Sequence, residues 1–513
     1  MQAIILSLFF FVAYVIYRTY FDPLANVPGP RFAKLCPSWI ISILWTNKVN
    51  YSIDEQHRKH GMILDIPQCA FLPLPFRAAI LTGTGDVVRL GPTELSFSTI
   101  SAHDTIYNTD AATFTTPGSI QCCGRNLIHP GLTFVVQRSV AEQKELRKIF
   151  APAFRLALTG GIETNITNRF NELLAALDIR PGMSKCMNLT HCLEQLEWNL
   201  IGDLGLGQPV PDSLRGGWTG YKNHQHMIGA AYELGSFLLT RRGFPKILDI
   251  VGKIWPQILL EEGFLSNLAI KQRTEGKNTF VSQALPYKSE KFPLMGTEMP
   301  GNVIGIMVAS YETSESTLRA TLCALLSNPA YYKALQHEIR STFSTLESIT
   351  DSQLVGLRFL NGCVNEGLRL WPGLNGKFTS RLSTGGVIDG VYVPAGYIVS
   401  ADLYSIQRNP KYWHEPDSFK PERWFDGQNK DELRAFRPFS VGPRSCPGRQ
   451  MALQKVRLTL SKFAFSFDME FVNPDFDWQR DVPSGFLWGS ADVMVRISRS
   501  DPPQAIDERV AAA

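Results

Sequence analysis

The sequence predicts a mainly α-helical protein with a smaller β portion. Three observations carry that expectation. Helical patterning dominates, in a stretch beginning near Ser139, again from Glu163 to Leu268, and in a long apolar run from Asn302 to Leu326. Strand-like alternation is confined to two short stretches, Asp86 to Phe97 and Gly386 to Gly396. The 513 residues could make two or three average domains or one large one, and can bury a core able to enclose a cofactor.

Bulk properties exclude several functions. A net charge of +4 gives nucleic-acid binding no support, so any basic surface must be local. Nine cysteines, at 36, 69, 122, 123, 186, 192, 323, 363 and 446, are odd in number and lack C-x-x-C pairing. That argues against a disulfide framework and a zinc ribbon, and fits a reducing compartment. His57/His60 and His224/His226 have metal-compatible spacing but no Cys or carboxylate to complete a site, so they read as surface histidines.

From Ala3 to Tyr17 the chain carries no charge, and with Met1 and Gln2 it approaches the roughly 20 apolar residues that span a bilayer. A cleaved signal peptide would need a positive n-region and a small-residue cleavage site, and neither is present. Arg18, Arg31 and Lys34 all follow the apolar run. Residues 1–20 therefore read as an uncleaved single-pass anchor with the body in the cytosol. Residues 21–35, rich in proline, read as a stiff extended connector, and 36–500 as the body. Within the body, residues 62–85 hold three prolines and an apolar patch without a clear period. This atypical insertion reads as translated non-coding sequence in preference to a membrane-contacting excursion. Residues 501–513 read as a disordered tail.

Further on, Gln143 and Arg147 sit one turn apart on one helix face. The long apolar run carries Ser310, Glu312, Thr313, Ser314 and Glu315 in its middle. Unpaired buried polar groups are expensive, so these need a purpose or a cavity. Glu366 and Arg369 lie three apart on a helix, a pairing worth little at a surface. Arg381 precedes the second strand-like stretch.

The most informative stretch is Phe439-Ser440-Val441-Gly442-Pro443-Arg444-Ser445-Cys446-Pro447-Gly448. A cysteine that binds iron as thiolate needs hydrogen bonds at sulfur, charge balance and shelter from oxidants. Gly442 and Gly448 permit close backbone approach where a Cβ would collide, so that N–H groups can point at sulfur. Arg444 offers a planar fork suited to a carboxylate, and Phe439 would shield the sulfur from water.

This spacing, Phe-x-x-Gly-x-Arg-x-Cys-x-Gly, resembles the haem-binding loop of the cytochrome P-450 family with every fixed position met. The resemblance implies an α-rich domain in which haem b, iron protoporphyrin IX, lies between the long helix and the Cys446 loop, with Cys446 as axial iron ligand. It implies that Arg147, Arg381 and Arg444 hold the haem propionates. Gln143 stands where the family often has Trp or His. The segment Ala309-Ser310-Tyr311-Glu312-Thr313 resembles the family's oxygen-activation motif, in which a hydroxyl and a carboxylate relay protons. Ser310 replaces the usual Gly, either narrowing the oxygen notch or back-bonding to a carbonyl to bend the helix. Glu366 and Arg369 would join Arg423, from Pro421-Glu-Arg423-Trp424, in a buried ion triad bracing the haem-binding face. Segments 372–378 and 485–488 would line the substrate pocket.

The implied function is that of a haem-thiolate monooxygenase inserting one oxygen atom from O2 into an apolar small molecule. The style of the motifs is similar to filamentous-fungal members acting on secondary metabolites. No flavin or nicotinamide fingerprint accompanies the haem motifs, so electrons must come from outside, and the resemblance implies an NADPH-dependent flavoprotein reductase at the endoplasmic reticulum membrane. Lys144, Lys148, Arg434, Arg437, Arg449, Lys455 and Arg457 are the expected docking cations. An O2-independent isomerase or dehydratase on the same cofactor, or a non-catalytic haem-binding protein, are the rival readings.

Overall fold

The computed structural model describes residues 2–61, 86–108, 114–115, 140–159, 161–180, 182–212, short pieces between 215 and 284, 295–374, and 377–499 apart from 378, 426–429 and 486. The insertion 62–85, the tail 501–513, Ser139 and His224/His226 lie outside the described residues.

Helix α1 (Gln2–Ile16) is followed by a π-turn, Tyr17–Phe21. Its apolar side chains project outward, with Phe9, Phe10 and Phe11 each more than 60% exposed. Fifteen helical residues rise about 22 Å, short of the roughly 30 Å hydrocarbon core of a bilayer. No helix among the described residues is long and apolar enough to cross a membrane, so the expected spanning segment is not found. Nor is Arg18 a free flanking cation. It is buried, ion-paired with Asp22, and its Nε donates to the Lys34 carbonyl at 2.9 Å.

Residues 21–35 also differ from expectation. They pack on the body, because Leu24, Val27 and Ala33 have apolar side chains that are buried there. Asp22 receives the Nη2 of Arg89 at 3.0 Å, and the Arg89 N–H donates to the Pro28 carbonyl at 2.7 Å. Helices α2 (Ser38–Trp45) and α3 (Val49–Gly61) follow. His57 on α3 is buried with its Nε2 2.9 Å from the Ser96 hydroxyl, which corrects the surface reading.

The first predicted strand pair is present as β1 (Val87–Gly91) and β2 (Glu94–Phe97), antiparallel with Val87 opposite Phe97. Helix α4 (Ile100–Tyr107) starts at Thr99, whose side chain accepts from the Ala102 N–H as an N-cap. Then come β3 (Phe114–Thr115), α5 (Val140–Thr159), α6 (Ile162–Leu177), β4 (Ser184–Asn188), α7 (Leu189–Ile201) and α8 (Phe280–Ala284).

The long predicted helix is α9 (Met295–Leu326), followed by α10 (Pro329–Thr342) and α11 (Arg358–Leu370). Strands β5 (Arg381–Ser383), β6 (Gly386–Ile388), β7 (Val391–Val393) and β8 (Ile398–Ala401) follow, with the β6–β7 hairpin closed by Asp389-Gly390. The chain ends in α12 (Arg449–Ser466), β9 (Phe467–Phe471) and β10 (Met494–Arg499). Among the described strands, β1-β2-β8-β5-β3 form one sheet and β4-β10-β9 another.

Helix α9 runs through the centre because two apolar clusters claim its two halves. Val303, Ile304, Met307 and Tyr311 pack with α5, α7 and α8, and Tyr311 stacks on Trp198 at 4.3 Å between ring centroids. Leu318, Leu322 and Leu325 pack with α6, α7, α10, α11 and α12. Each buried leucine contributes about 2 kcal/mol by area removed from water. The polar residues fall between these apolar bands.

Candidate functional site

The Cys446 loop is built by its own backbone. The Cys446 N–H donates to the Phe439 carbonyl at 2.9 Å, and Ser445 N–H to the Gly442 carbonyl at 3.1 Å. Gly442 has φ +72°, and a Cβ there would lie 2.2 Å from the Tyr107 carbonyl oxygen, so only glycine fits. Ser440 has φ +56°, a left-handed conformation that costs a non-glycine residue on the order of 1 kcal/mol. Gly448 is different from expectation. A Cβ there would meet only ordinary contacts, 3.8 Å from the Phe154 ring and 3.9 Å from Cys446 Sγ. Its role in the structure is to point its N–H at that sulfur.

Cys446 sits just before the N-terminus of α12, where unpaired N–H groups favour an anion. Its accessible face borders a cavity whose space open to the centres of water molecules is ≈ 280 Å³. Burial pushes the thiol up, against the opposing Gly448 N–H and the charges of Arg147 and Arg449. The sulfur is therefore poised for a partner that displaces its proton, as a coordinated metal does.

Helices α5, α9, α11 and α12 and the loops after α11 enclose the cavity. Gln143, Arg147, Ser310, Thr313, Arg381, Phe439, Arg444, Cys446 and Gly448 all line it, so residues up to 305 positions apart in the chain converge. Arg147 donates to the Ser445 carbonyl, and Arg381 donates to the Thr379 carbonyl at 2.7 Å while lying over the Tyr107 ring. Burial depresses all three guanidiniums. For Arg147 the thiol opposes it and for Arg381 the Tyr107 phenol does, while Arg444 is pushed down to about 10 by burial and by the like charges of Arg381 and Arg147.

Three convergent half-buried guanidiniums, a sulfur and a largely apolar lining fit a porphyrin bearing two carboxylates. Arg147, Arg381 and Arg444 would hold its acid groups and Cys446 its metal. Gln143 is buried and lines the cavity, and its Oε1 has no hydrogen-bond partner among the described residues.

Because the guanidinium of Arg444 is protonated at neutral pH in a site that depresses it, it destabilises the empty fold, and the penalty fades only as pH rises above about 10. Arg444→Gln is accordingly expected to raise the urea midpoint of haem-free protein and to weaken haem retention by about tenfold or more, the scale of one charge-assisted contact. Equilibrium unfolding and haem transfer to apomyoglobin measure the two effects. A lowered midpoint in the haem-free variant would contradict this account of the site.

Across the cavity, Thr313 donates its hydroxyl to the Ala309 carbonyl at 2.8 Å. The predicted back-bond belongs to this residue, not to Ser310, whose Oγ and carbonyl both accept from Lys455 Nζ, at 3.3 and 3.2 Å. Glu312 is buried but does not border the cavity, because one residue of helix turns its side chain about 100° away from Thr313. The expected acid partner of the relay is thus not on the cavity wall.

The ion triad forms as expected and is larger. Glu366 takes Arg369 through both oxygens, at 2.9 and 2.7 Å, and Arg423 Nε at 2.9 Å. Trp424 adds its indole N–H at 3.0 Å and Asp431 pairs with Arg423 at 2.6 Å. The Trp424 contact needed the fold to find it, since an indole N–H gives no sequence signal of its target.

Three other expectations are corrected. Lys455 and Arg457 are buried and paired with Glu197 and Asp351, so they are not docking cations, whereas Lys144, Lys148, Arg434 and Arg449 are exposed. Of segment 372–378, Gly373 and Leu374 line the cavity. Trp488 does not; it is buried in the core against Tyr51, Tyr404 and Trp478 and donates to the Pro372 carbonyl at 2.8 Å.

Comparison with known proteins agrees with this geometry. Residues 124–496 match the family described as Cytochrome P450. The chain is 33% identical to sesterfisheric acid synthase of Neosartorya fischeri, over 93% of this chain and 92% of that protein. It is 32% identical to the cytochrome P450 monooxygenase btcB of Colletotrichum orbiculare, over 94% and 89%. The crystal structure of the cytochrome P450DA heme domain superposes with a TM-score of 0.63 at 18% identity, over 80% of this chain and 89% of that one, which speaks for the fold.

Proposed function

Because the chain belongs to the cytochrome P450 family and is a P450 monooxygenase, we propose that it inserts one atom of O2 into an apolar secondary metabolite, with haem b held by Cys446 and electrons from NADPH through a flavoprotein reductase. The observation that supports this reading is the one cavity lined by the Cys446 sulfur, the guanidiniums of Arg147, Arg381 and Arg444, and the hydroxyl side chains of α9.

The haem, when bound, supplies the oxygen chemistry, and its thiolate ligand favours O–O cleavage. The chain supplies the rest. Arg147, Arg381 and Arg444 neutralise and orient the propionates. Phe439 and Phe154 on the Cys446 side exclude water from the sulfur. Thr313, its hydrogen committed to Ala309, offers lone pairs to a proton-bearing group in the cavity. Leu374, Leu403 and Ile306 give the remaining wall an apolar character suited to a hydrocarbon scaffold. The relative named for sesterfisheric acid supports the secondary-metabolite class.

The test is recombinant protein scanned for the reduced carbon monoxide spectrum, then for NADPH-dependent turnover of terpenoid, polyketide and indole-alkaloid scaffolds with a fungal reductase. A thiolate band with substrate-stimulated NADPH consumption is expected. A thiolate band without turnover on any class would favour a non-catalytic haem protein, and turnover without O2 would favour the isomerase or dehydratase reading. Exposed Lys144, Lys148 and Arg449 are the proposed reductase contacts, so reduction should slow as salt rises, and a salt-independent rate would remove them from that role.

We also infer that residues 1–20 attach the protein to the endoplasmic reticulum with the body in the cytosol. The exposed Phe9, Phe10 and Phe11 support this, since water-facing aromatic clusters are costly. Deleting residues 1–20 should move the protein from the membrane to the supernatant on sedimentation at high salt; continued pelleting would refute it.

A further inference from the structure

A lysine lies buried where α12 crosses behind the cavity, nine residues after the proposed iron ligand. Its ammonium has three hydrogens and three acceptors. Glu197 Oε2 on α7 lies 2.5 Å away, the Ser310 carbonyl 3.2 Å and the Ser310 hydroxyl 3.3 Å. Lys455 and Glu197 are both fully enclosed, at 1% and 0% exposure of their side chains. A buried pair of this kind stabilises a fold no better than apolar residues of the same volume, so its presence beside a cavity-lining hydroxyl calls for another account.

We propose that Ser310 is a second hydroxyl at the reacting face of the cavity, acting as a hydrogen-bond donor, and that the Lys455–Glu197 pair is the device that aims it. Lys455 occupies a lone pair of Ser310 Oγ from behind. The hydroxyl hydrogen then has to find its acceptor elsewhere, and among the described residues none takes it, while Ser310 borders the cavity. Thr313, one turn on, has the opposite polarity, because its hydrogen is spent on Ala309. Thr317 likewise spends its hydrogen on the Thr313 carbonyl at 2.7 Å, and Ser314 Oγ is buried without a partner among the described residues, so Ser310 is the wall hydroxyl whose direction a fixed cation sets.

The ammonium also polarises the Ser310 hydroxyl, and charge-assisted donors are the stronger ones. Glu197 keeps the ammonium from turning away. The other charges near the pair are Glu315 and Arg319 on α9, bound to each other at 2.8 Å, with Arg319 also donating to the Gly489 carbonyl at 3.0 Å. That second pair is self-contained, so Lys455 remains the cation that Ser310 meets. Ser310 acts on the cavity directly; Lys455 and Glu197 are positioning residues.

The inference rests on the monooxygenase reading, and its test separates the two. Wild type, Ser310→Ala and the double variant Lys455→Met/Glu197→Leu, which leaves no orphaned buried charge, are each loaded with haem. The reduced carbon monoxide spectrum of the wild type checks the premise. If it lacks the thiolate band, the premise fails and the inference falls with it.

With the band present, the infrared C–O stretch of the carbon monoxide complex reports a donor in the cavity without any turnover. Ser310→Ala is expected to shift that stretch to higher frequency and the double variant to shift or broaden it in the same sense. The fraction of NADPH electrons lost as peroxide should rise by about threefold or more in both, the effect of losing one net hydrogen bond. An unchanged stretch and coupling in Ser310→Ala would overturn the donor role. A shift in Ser310→Ala with none in the double variant would overturn the positioning role of the pair.

Discussion

Cys446→Ser is expected to abolish the thiolate band of the reduced carbon monoxide complex and all NADPH-dependent product formation, while leaving the haem-free fold close to wild-type stability. The asymmetry follows from what the sulfur touches. Its interactions within the protein are the Gly448 N–H and the charges of Arg147 and Arg449, all of which favour the anion, and burial, which opposes it. A serine hydroxyl keeps the N–H contact but has too high a pKa to be an anionic ligand, so a haem bound here would lose the thiolate proposed for it. The three guanidiniums remain, so some haem should still bind, with a spectrum lacking thiolate character. Retention of the thiolate band in Cys446→Ser would exclude this residue as ligand, and Cys192, Cys323 and Cys363, whose thiols burial also raises, would be the alternatives to examine.

The second large effect is expected at Glu366. Its carboxylate lies wholly inside the protein and holds Arg369 and Arg423 along with the Trp424 indole and the Lys420 N–H. The two arginines respond differently. Burial lowers the Arg369 pKa in spite of Glu366, with the like charges of Arg423 and Arg408 adding to the effect. Arg423 is also opposed by burial, yet two carboxylates, Glu366 and Asp431, raise it overall. Removing Glu366 therefore strands Arg369 far more than Arg423.

Glu366→Ala is expected to cost about 3–5 kcal/mol, the usual penalty for leaving a buried charge unpaired. Set against a total stability of about 5–15 kcal/mol, that is a large part of the margin, so the haem-free variant should unfold at distinctly lower urea. Glu366→Gln preserves shape and one acceptor oxygen and should fall between the two. Urea unfolding of haem-free protein together with haem content checks this, and a Glu366→Ala midpoint matching wild type would show that the network is dispensable.

Local sequence carried several features through to the structure. Asp86–Phe97 alternates and turns, and becomes β1–β2. The apolar run 302–326 lies within α9, and the Glu366/Arg369 spacing puts both side chains on one helix face. Gly442 is legible as a loop glycine, and its φ of +72° beside the Tyr107 carbonyl is a conformation that glycine adopts freely. Where expectation failed, a charge or an aromatic ring had been assigned an environment by type. Lys455 and Arg457 read as docking cations, Trp488 as a pocket wall and residues 21–35 as a stiff extended connector.

The sequence by itself singled out the Cys446 loop and the period of the long helix, since each is encoded within a few residues and obeys local steric or hydrogen-bonding rules. Only the tertiary structure decided which polar groups share the cavity. Whether Lys455 faces water or Ser310, and whether Glu312 or Glu197 stands behind the reacting wall, depends on how α7, α9 and α12 cross. Those crossings are set by apolar clusters drawn from many distant segments. Burial turns an ordinary lysine into a fixed donor, and burial is a property of the packed chain and not of any stretch within it.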